Sequence, residues 1–453
     1  MADSQAPPHQ TRLIFQLLFL GVALLPAGNS IAQIQGSAGQ EGTKPFTATV
    51  ALREGYDSNP LTQSYQSTTN VVSSTYTSVQ PSLGYNYTGL QADLALRYDF
   101  TGTYFPSVNQ SYDIQYSQAF IGRHTYAFDP RTSLTISDNF VYSEQPIPTL
   151  VTAGLAPVVN TQGFINNLGT IQADYRVTDR LAMITRWNNS ILNSDGAATY
   201  NNTSGITSGS AGASNYMNNG AFQQFRLDFS PETVGTFTFD YQIYDYQSDQ
   251  SYRDNQQVSF SLGADQTFTP TITFSGRAGI QLNDNYGLSD SSSTISSGGL
   301  GSGELEIGAF PFTSISSTWN YDQKSFVSGG FSIAVQQSNL ATSSDSEAYT
   351  LNVSWDHYFT DRLSVIQSMF LNIAVFTPQL TQAQSLAISN SYQGSGQQTT
   401  FTYQCKFAYE IFPYLSAELG WSYTNYGSYF DVNNGNGGSY TRNQVYLGVR
   451  GTY

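Results

Sequence analysis

The chain has 453 residues, and only 11% of them are Asp, Glu, Lys or Arg, against about 25% in ordinary soluble proteins. Its 32 Tyr, 28 Phe and 39 Gly argue against a disordered chain, which is poor in aromatics. A net charge of −15, from 32 acidic and 17 basic residues, argues against nucleic acid as a partner, because phosphates demand clustered Lys and Arg. Two all-β readings remain, a soluble β-sandwich and a membrane barrel. The barrel explains the mixture of apolar and aromatic residues, uncharged polar residues and Gly.

The N-terminus carries the pattern of an export signal, with His9 and Arg12 ahead of an apolar run from Leu13 to Leu25. Pro26 breaks the run, and Ser30-Ile31-Ala32 supplies small residues for cleavage. Residues 1–32 are therefore expected to be a signal peptide and 33–45 a short periplasmic lead-in. Residues 46–453 are expected to form one barrel. No later stretch approaches the roughly twenty apolar residues of a membrane helix.

From residue 46 onward a repeating pattern is set by short turns rich in Pro and Asp. These are Phe128-Asp-Pro-Arg131, Val177-Thr-Asp-Arg180, Phe229-Ser-Pro-Glu232, Phe268-Thr-Pro-Thr271, Phe359-Thr-Asp-Arg362 and Phe412-Pro-Tyr414, with two more near Thr88-Gly89 and Asp322-Gln323. Pro presets a turn dihedral, and Asp bonds its own backbone. The aromatic or Val before each turn is placed at a membrane interface. Long Gly/Ser/Asn segments at 56–74, 145–164, 194–219, 285–302, 338–347, 376–398 and 428–441 are assigned to the outer side. Short turns on one side and long loops on the other are the asymmetry of an outer-membrane barrel.

Between the turns the chain alternates. Leu94, Leu96, Tyr175, Phe274 and Trp421 fall on one face, and Arg97, Arg176, Arg277 and Glu418 on the other. The sequence closes on Val445, Leu447, Val449, Gly451 and Tyr453 facing one way and Gln444, Tyr446, Gly448, Arg450 and Thr452 the other. Eight short turns with both termini on the periplasmic side predict an all-β, transmembrane antiparallel barrel of about 18 strands. Pro311 interrupts 303–337, and the count falls to 16 if that region is not paired. The closing strand is expected to pair with the first, near 46–54, and to be read by the barrel-assembly machinery.

The inward phase gathers charge of both signs. Candidate pore-lining residues are Asp93, Arg97, Asp99, Asp174, Arg176, Arg186, Arg226, Asp228, Asp240, Arg277, Glu418 and Arg450, with Glu304, Glu306, Asp356, Lys406 and Glu410 in the same phase. Rings of charge set pore selectivity, whereas charges paired across strands brace the wall. Both roles stay open. The acidic excess is expected in loops and lumen, since charge on the lipid face is costly. Catalysis is not expected. Cys405 sits on an apolar face, and neighbours Asp356 and His357 point to opposite faces. No nucleophile–base set, metal motif or cofactor motif is present.

One motif is more specific. After Phe46–Leu52, the stretch Arg53-Glu-Gly-Tyr-Asp-Ser-Asn-Pro60 resembles the β-barrel porin-2 family, through Gly55, Tyr56, Asp57, Asn59 and Pro60. Read on its own, it is a structured turn leaving the first strand, or a ligand or cation contact through Asp57 and Asn59. The resemblance implies an outer-membrane barrel associated with exopolysaccharide biosynthesis and export, with outer-membrane lipids and polysaccharide-export components as partners. The expected function is a porin-like channel for small hydrophilic solutes in a Gram-negative-type outer membrane. The alternative is a non-conducting barrel that anchors an export assembly.

Overall fold

The computed structural model describes residues 45–62, 71–108, 113–144, 163–194, 199–201, 205–208, 215–246, 254–284, 308–337, 345–376, 396–430 and 439–453. The expected signal peptide, nearly all of the lead-in, and Glu304 and Glu306 lie outside these residues.

Twenty strands follow in chain order: β1 (Phe46–Asp57), β2 (Ser74–Thr88), β3 (Ala92–Tyr104), β4 (Ile114–Asp129), β5 (Thr132–Ser143), β6 (Phe164–Arg176), β7 (Leu181–Ser194), β8 (Thr199–Asn201), β9 (Gly205–Ser208), β10 (Tyr216–Asp228), β11 (Thr233–Tyr246), β12 (Asn255–Thr269), β13 (Ile272–Asp284), β14 (Gly308–Asn320), β15 (Phe326–Gln337), β16 (Asp345–Tyr358), β17 (Leu363–Phe376), β18 (Gly396–Phe412), β19 (Leu415–Phe430) and β20 (Tyr440–Thr452). Eighteen of them form a single antiparallel sheet in which each pairs with its neighbours in sequence. β8 and β9 pair only with each other, so β7 pairs with β10. β20 pairs with β1 from Thr49↔Thr452 to Asp57↔Gln444. The sheet is therefore a closed barrel with no free edge.

Alternation assigns the two faces. Val445, Leu447 and Val449 are exposed, as are Ile171, Tyr175, Trp187, Phe274, Leu419 and Trp421. An apolar side chain exposed on a barrel wall faces outward, towards lipid. Glu418, Arg442, Thr103, Ser137 and Gln281, in the opposite phase, are buried on the inner face. Leu94 and Leu96 share the outward phase of Tyr98, and Arg97 the inward one.

The eight short turns all form. A hydroxyl, rather than Asp, supplies the main local bond in half of them. Thr178, Ser230, Thr269 and Thr360 accept from the backbone N–H three residues on at 3.0–3.1 Å. Asp179 instead reaches Arg131 of the neighbouring turn. Phe128, Phe229, Phe268, Phe359 and Phe412 stand exposed beside these turns. With them, Trp319, Tyr321, Trp355 and His357 form an aromatic belt, in which Trp355 Nε1 donates to the Tyr321 hydroxyl at 2.7 Å. Such belts mark a membrane interface.

The ambiguous stretch is β14 and β15, so the count does not fall to 16. Pro311 pairs with Ile280 of β13, but β14 meets β15 only from Thr313↔Ile333 downward. Above that point the Gln281 carboxamide takes the missing place. It accepts from Val335 N at 3.0 Å and donates to Val335 O at 3.1 Å.

Three other expectations are corrected. β1 runs on to Asp57, so Gly55, Tyr56 and Asp57 belong to the strand and only Ser58–Pro60 to the turn. Two further long-side connections, 105–113 and 247–254, join β3 to β4 and β11 to β12. Carboxylates do not keep wholly to loops and lumen. Glu54 and Asp138 lie in the outward phase, Glu54 accepting from Thr77 Oγ1 at 2.8 Å and Asp138 from Asn167 Nδ2 at 2.9 Å.

Candidate pore wall and barrel seam

Apart from the turns, ten described basic side chains face inward: Arg53, Arg97, Arg123, Arg176, Arg186, Arg226, Arg277, Lys406, Arg442 and Arg450. Ten acidic ones do so as well: Asp57, Asp93, Asp99, Asp174, Asp228, Asp240, Asp265, Asp356, Glu410 and Glu418. The described wall is therefore electrically balanced. Except for Asp57 and Arg442, these charges run from the short turns to about mid-strand, with Arg53, Asp99 and Asp240 just past it. The other half is lined by Ser, Thr, Asn and Gln, among them Ser78, Asn166, Asn218, Gln257, Asn283 and Asn372.

Several ion pairs lie along the wall rather than across the bore. Arg176 reaches Asp228 at 3.1 Å over the intervening β7. Arg226 reaches Asp265 over β11 at 3.3 Å, and Arg277 meets the same carboxylate at 3.2 Å. Arg97 pairs with Asp99 on its own strand at 2.9 Å. The Arg186 guanidinium lies 4.1 Å from the centroid of the Phe222 ring, a cation–π contact. Asp240 accepts from Gln242 Nε2. These pairs remain partly open to solvent: the Arg97 and Asp99 side chains keep 34% and 23% of their exposure. They brace the wall and hydrate it together.

The densest arrangement is the seam where chain ends meet. Glu418 on β19, 3% exposed, holds two guanidiniums. Arg53 Nη2 comes from β1 at 2.8 Å across β20, and Arg450 Nε comes from β20 at 2.7 Å. Lys406 stands on the same face, opposite Gly420, one inward step from Glu418. The four groups carry a net +2. Glycines make the close packing possible. The Tyr446 ring lies beside Gly420 and the Arg53 stem beside Gly448, so a Cβ at either place would strike its neighbour. Arg53 in turn sits 4.5 Å from the Tyr446 ring centroid.

Above this cluster, the Gly55–Pro60 motif acts as a clasp. Asp57 has no exposed side-chain surface. Its carboxylate accepts from Arg442 Nη2 at 2.6 Å, Arg442 Nε at 2.9 Å, Gln444 Nε2 at 2.8 Å and Asn59 N at 2.9 Å. Ser58 and Asn443 exchange two further bonds, and Asn59 Nδ2 donates to Thr441 O at 3.4 Å. The structural reading of the motif is thus the one the geometry favours: the Asp57 carboxylate is occupied by β20. Tyr56 points outward. Asn59 and Pro60 are buried, and the next residue, Leu61, packs with Val72 and Tyr446 on an inner cluster of Tyr76, Phe105 and Val108. Sequence reasoning missed Arg442, because its partner lies 385 residues away. Asp57→Ala is expected to lower unfolding stability by about 3 kcal/mol, since it strands a buried guanidinium. The shift is read as an earlier loss of heat-modifiable migration. Unchanged thermal stability would mean that the clasp carries no weight.

The described residues assemble no nucleophile–base pair. Asp356 faces inward, while His357 stacks outward on Trp355 and bonds the Tyr321 hydroxyl at 2.8 Å. His124 meets the Asp93 carbonyl at 3.1 Å, and Cys405 is a free thiol on the outer face.

A closed antiparallel barrel with an apolar outer face and a polar, charged inner one defines the class: a transmembrane β-barrel of the outer-membrane type. No family model and no curated protein sequence matches the chain. Solved structures do. The siderophore receptor PirA from Acinetobacter baumannii is 9% identical, with a TM-score of 0.43 over 91% of this chain and 81% of that one. The ferric enterobactin receptor PfeA from Pseudomonas aeruginosa is 8% identical, with a TM-score of 0.43 over 90% and 80%. The outer membrane protein opdK from Pseudomonas aeruginosa is 10% identical, with a TM-score of 0.41 over 90% and 99%.

Proposed function

We propose that the chain is an outer-membrane channel that passes small hydrophilic solutes. The observation that carries this reading is the inner wall. Eighteen strands make a barrel wide enough for an aqueous bore, and away from the seam its ion pairs, such as Arg97–Asp99 and Arg226–Asp265, keep part of their solvent exposure. The strand β20 is also the element we propose the barrel-assembly machinery reads. A link to exopolysaccharide export rests on the Gly55–Pro60 stretch alone and is tested by co-purification with export components.

The ion preference of such a channel follows from where charge is left over. The described wall is balanced, so it selects weakly. Among the described residues the long-loop rim carries more acidic than basic side chains. Asp113, Glu144, Asp245, Asp254, Asp284 and Glu347 stand there, and the described basic side chain at that end, Arg442, is bound to Asp57. An acidic mouth raises local cation concentration. Purified protein in planar bilayers is expected to conduct in steps, with a salt-gradient reversal potential that favours cations. Neutralising Asp245, Asp254 and Asp284 together should reduce that preference more than Asp93→Asn with Asp99→Asn. An anion preference in the parent would refute the rim as its source.

A second reading draws on the buried Tyr76–Phe105–Val108 cluster, which folds Phe105–Val108 inward at the same mouth. It makes the barrel a closed anchor for an export assembly. Well-inserted protein without conductance would favour it over the channel.

A further inference from the structure

The outer wall carries polar side chains at membrane depth. At one level of the sheet, Asp138 of β5, Gly169 of β6, Asn189 of β7 and Asn219 of β10 are successive cross-strand partners, all in the outward phase. Asn167, one outward step above Gly169, donates its Nδ2 to Asp138 Oδ1 at 2.9 Å. Asn189 Nδ2 donates to Asn219 Oδ1 at 2.9 Å. The level above holds, beside Asn167 of the patch itself, Phe140, Ile191 and Met217, and the level below Ile136, Ile171 and Trp187. The patch is therefore not an interfacial fringe. It lies between apolar rows, where hydrocarbon offers no donor or acceptor.

The glycine in the middle of the patch has no cause inside the barrel. A Cβ at Gly169 would meet Asp138 Oδ1 at 3.7 Å and Asn189 O at 3.8 Å, which is ordinary contact. At the seam, by contrast, Gly420 and Gly448 are required by their own neighbours. A small residue that this barrel does not need suits close approach from outside, as small residues do between membrane-spanning segments.

We propose that this face is the contact between two copies of the chain lying side by side in the membrane. The proposal rests on the membrane-spanning reading above. The chemistry selects the occupant. Carboxamides donate and accept, so they complement a second set of themselves, and a symmetric interface sets one patch against its copy. The copy supplies N–H donors to Asp138 as well as partners to Asn189 and Asn219. Lipid chains supply neither. An acidic partner without carboxamides is disfavoured, because it brings Asp138 no donor, whereas the copy brings Asn167, Asn189 and Asn219 beside its own carboxylate.

The test uses the full-length protein in native outer membranes. In a Cys405→Ser background, Gly169→Cys is oxidised and run under non-reducing conditions. A covalent species of twice the chain mass is expected. Ile373→Cys, on the outer wall of β17 across the barrel, should give none. Adding Asn189→Leu with Asn219→Leu should cut the cross-linked fraction at least tenfold while leaving heat-modifiable monomer intact. In mild detergent, the parent should have the mass of two chains and the double-leucine variant that of one. A parent of one chain mass with no cross-link overturns the proposal. So does a cross-link to a different mass, or a dimer that survives both leucines. If the leucine pair blocks insertion, the Gly169→Cys and Ile373→Cys comparison decides alone. Absence of heat-modifiable protein from the membranes, with any variant or none, would instead be a failure of the membrane reading.

Discussion

Removal of Val449–Tyr453 is expected to abolish insertion of the barrel. The deletion strips the lower four rungs of the closing ladder: Leu52↔Val449, Ala51↔Arg450, Val50↔Gly451 and Thr49↔Thr452 are all lost. So is the last exchange, in which Tyr453 N donates to Ala48 O at 2.8 Å. On the other side, Leu415, Ser416 and Ala417 of β19 lose their partners. Each freed N–H or C=O that faces hydrocarbon costs several kcal/mol, so the sum far exceeds a typical net stability of roughly 5–15 kcal/mol. Arg450 leaves as well, and Glu418 keeps only one of its two guanidiniums. Membrane fractionation followed by electrophoresis with and without heating reads the result. Parental amounts of heat-modifiable, membrane-embedded protein would show that β1 and β19 can close without this segment.

That closing strand was also the easiest element to read. From Gln444 onward, outward Val445, Leu447 and Val449 alternate with inward Gln444, Tyr446 and Arg450, and period-two alternation is the whole signal a half-buried strand leaves in sequence. The β14–β15 region leaves less. Pro311 removes a donor, Gly329 and Gly330 give no side-chain phase, and the replacement partner is the Gln281 side chain on another strand. No local pattern encodes that substitution. The Gly-Tyr-Asp-Ser-Asn run reads locally as a turn, because Gly, Asp and Asn favour turns. It continues as a strand through Asp57 because β20, distant in sequence, supplies the hydrogen bonds. The ion pairs were legible as an inward phase but not as partners, since Arg53, Arg176 and Arg226 each reach across an intervening strand. The outward placement of Asp138 was missed for a different reason. Ser137-Asp138-Asn139 puts polar residues on both faces, so alternation there carries no sign.

Glu418→Ala is expected to weaken the seam and to turn the ion preference of the bore. In the parent, one carboxylate at 3% exposure neutralises part of a cluster of three cations, Arg53, Arg450 and Lys406. Without it the cations face one another from β1, β20 and β18, and the carboxylate of β19 between them is gone. Breaking a buried ion pair by removing one partner costs about 3–5 kcal/mol. Lumen water softens that figure, so a loss near 3 kcal/mol is expected in reversible unfolding from detergent. Glu418→Gln should fall between parent and alanine, because it keeps acceptor shape without charge. The double change Glu418→Ala with Arg450→Ala removes one charge of each sign, and should be less destabilising than the two single losses added together. The same substitution leaves the seam with a full +3, so the salt-gradient reversal potential should move towards anions. That movement should shrink at 1 M salt, where the screening length is about 3 Å, while the stability loss should persist, because it arises at contacts of 2.8 and 2.7 Å. If Glu418→Ala unfolds with the parent and keeps its reversal potential, the three cations are fully hydrated in the bore. The seam would then be held by backbone pairing and the Tyr446 packing alone.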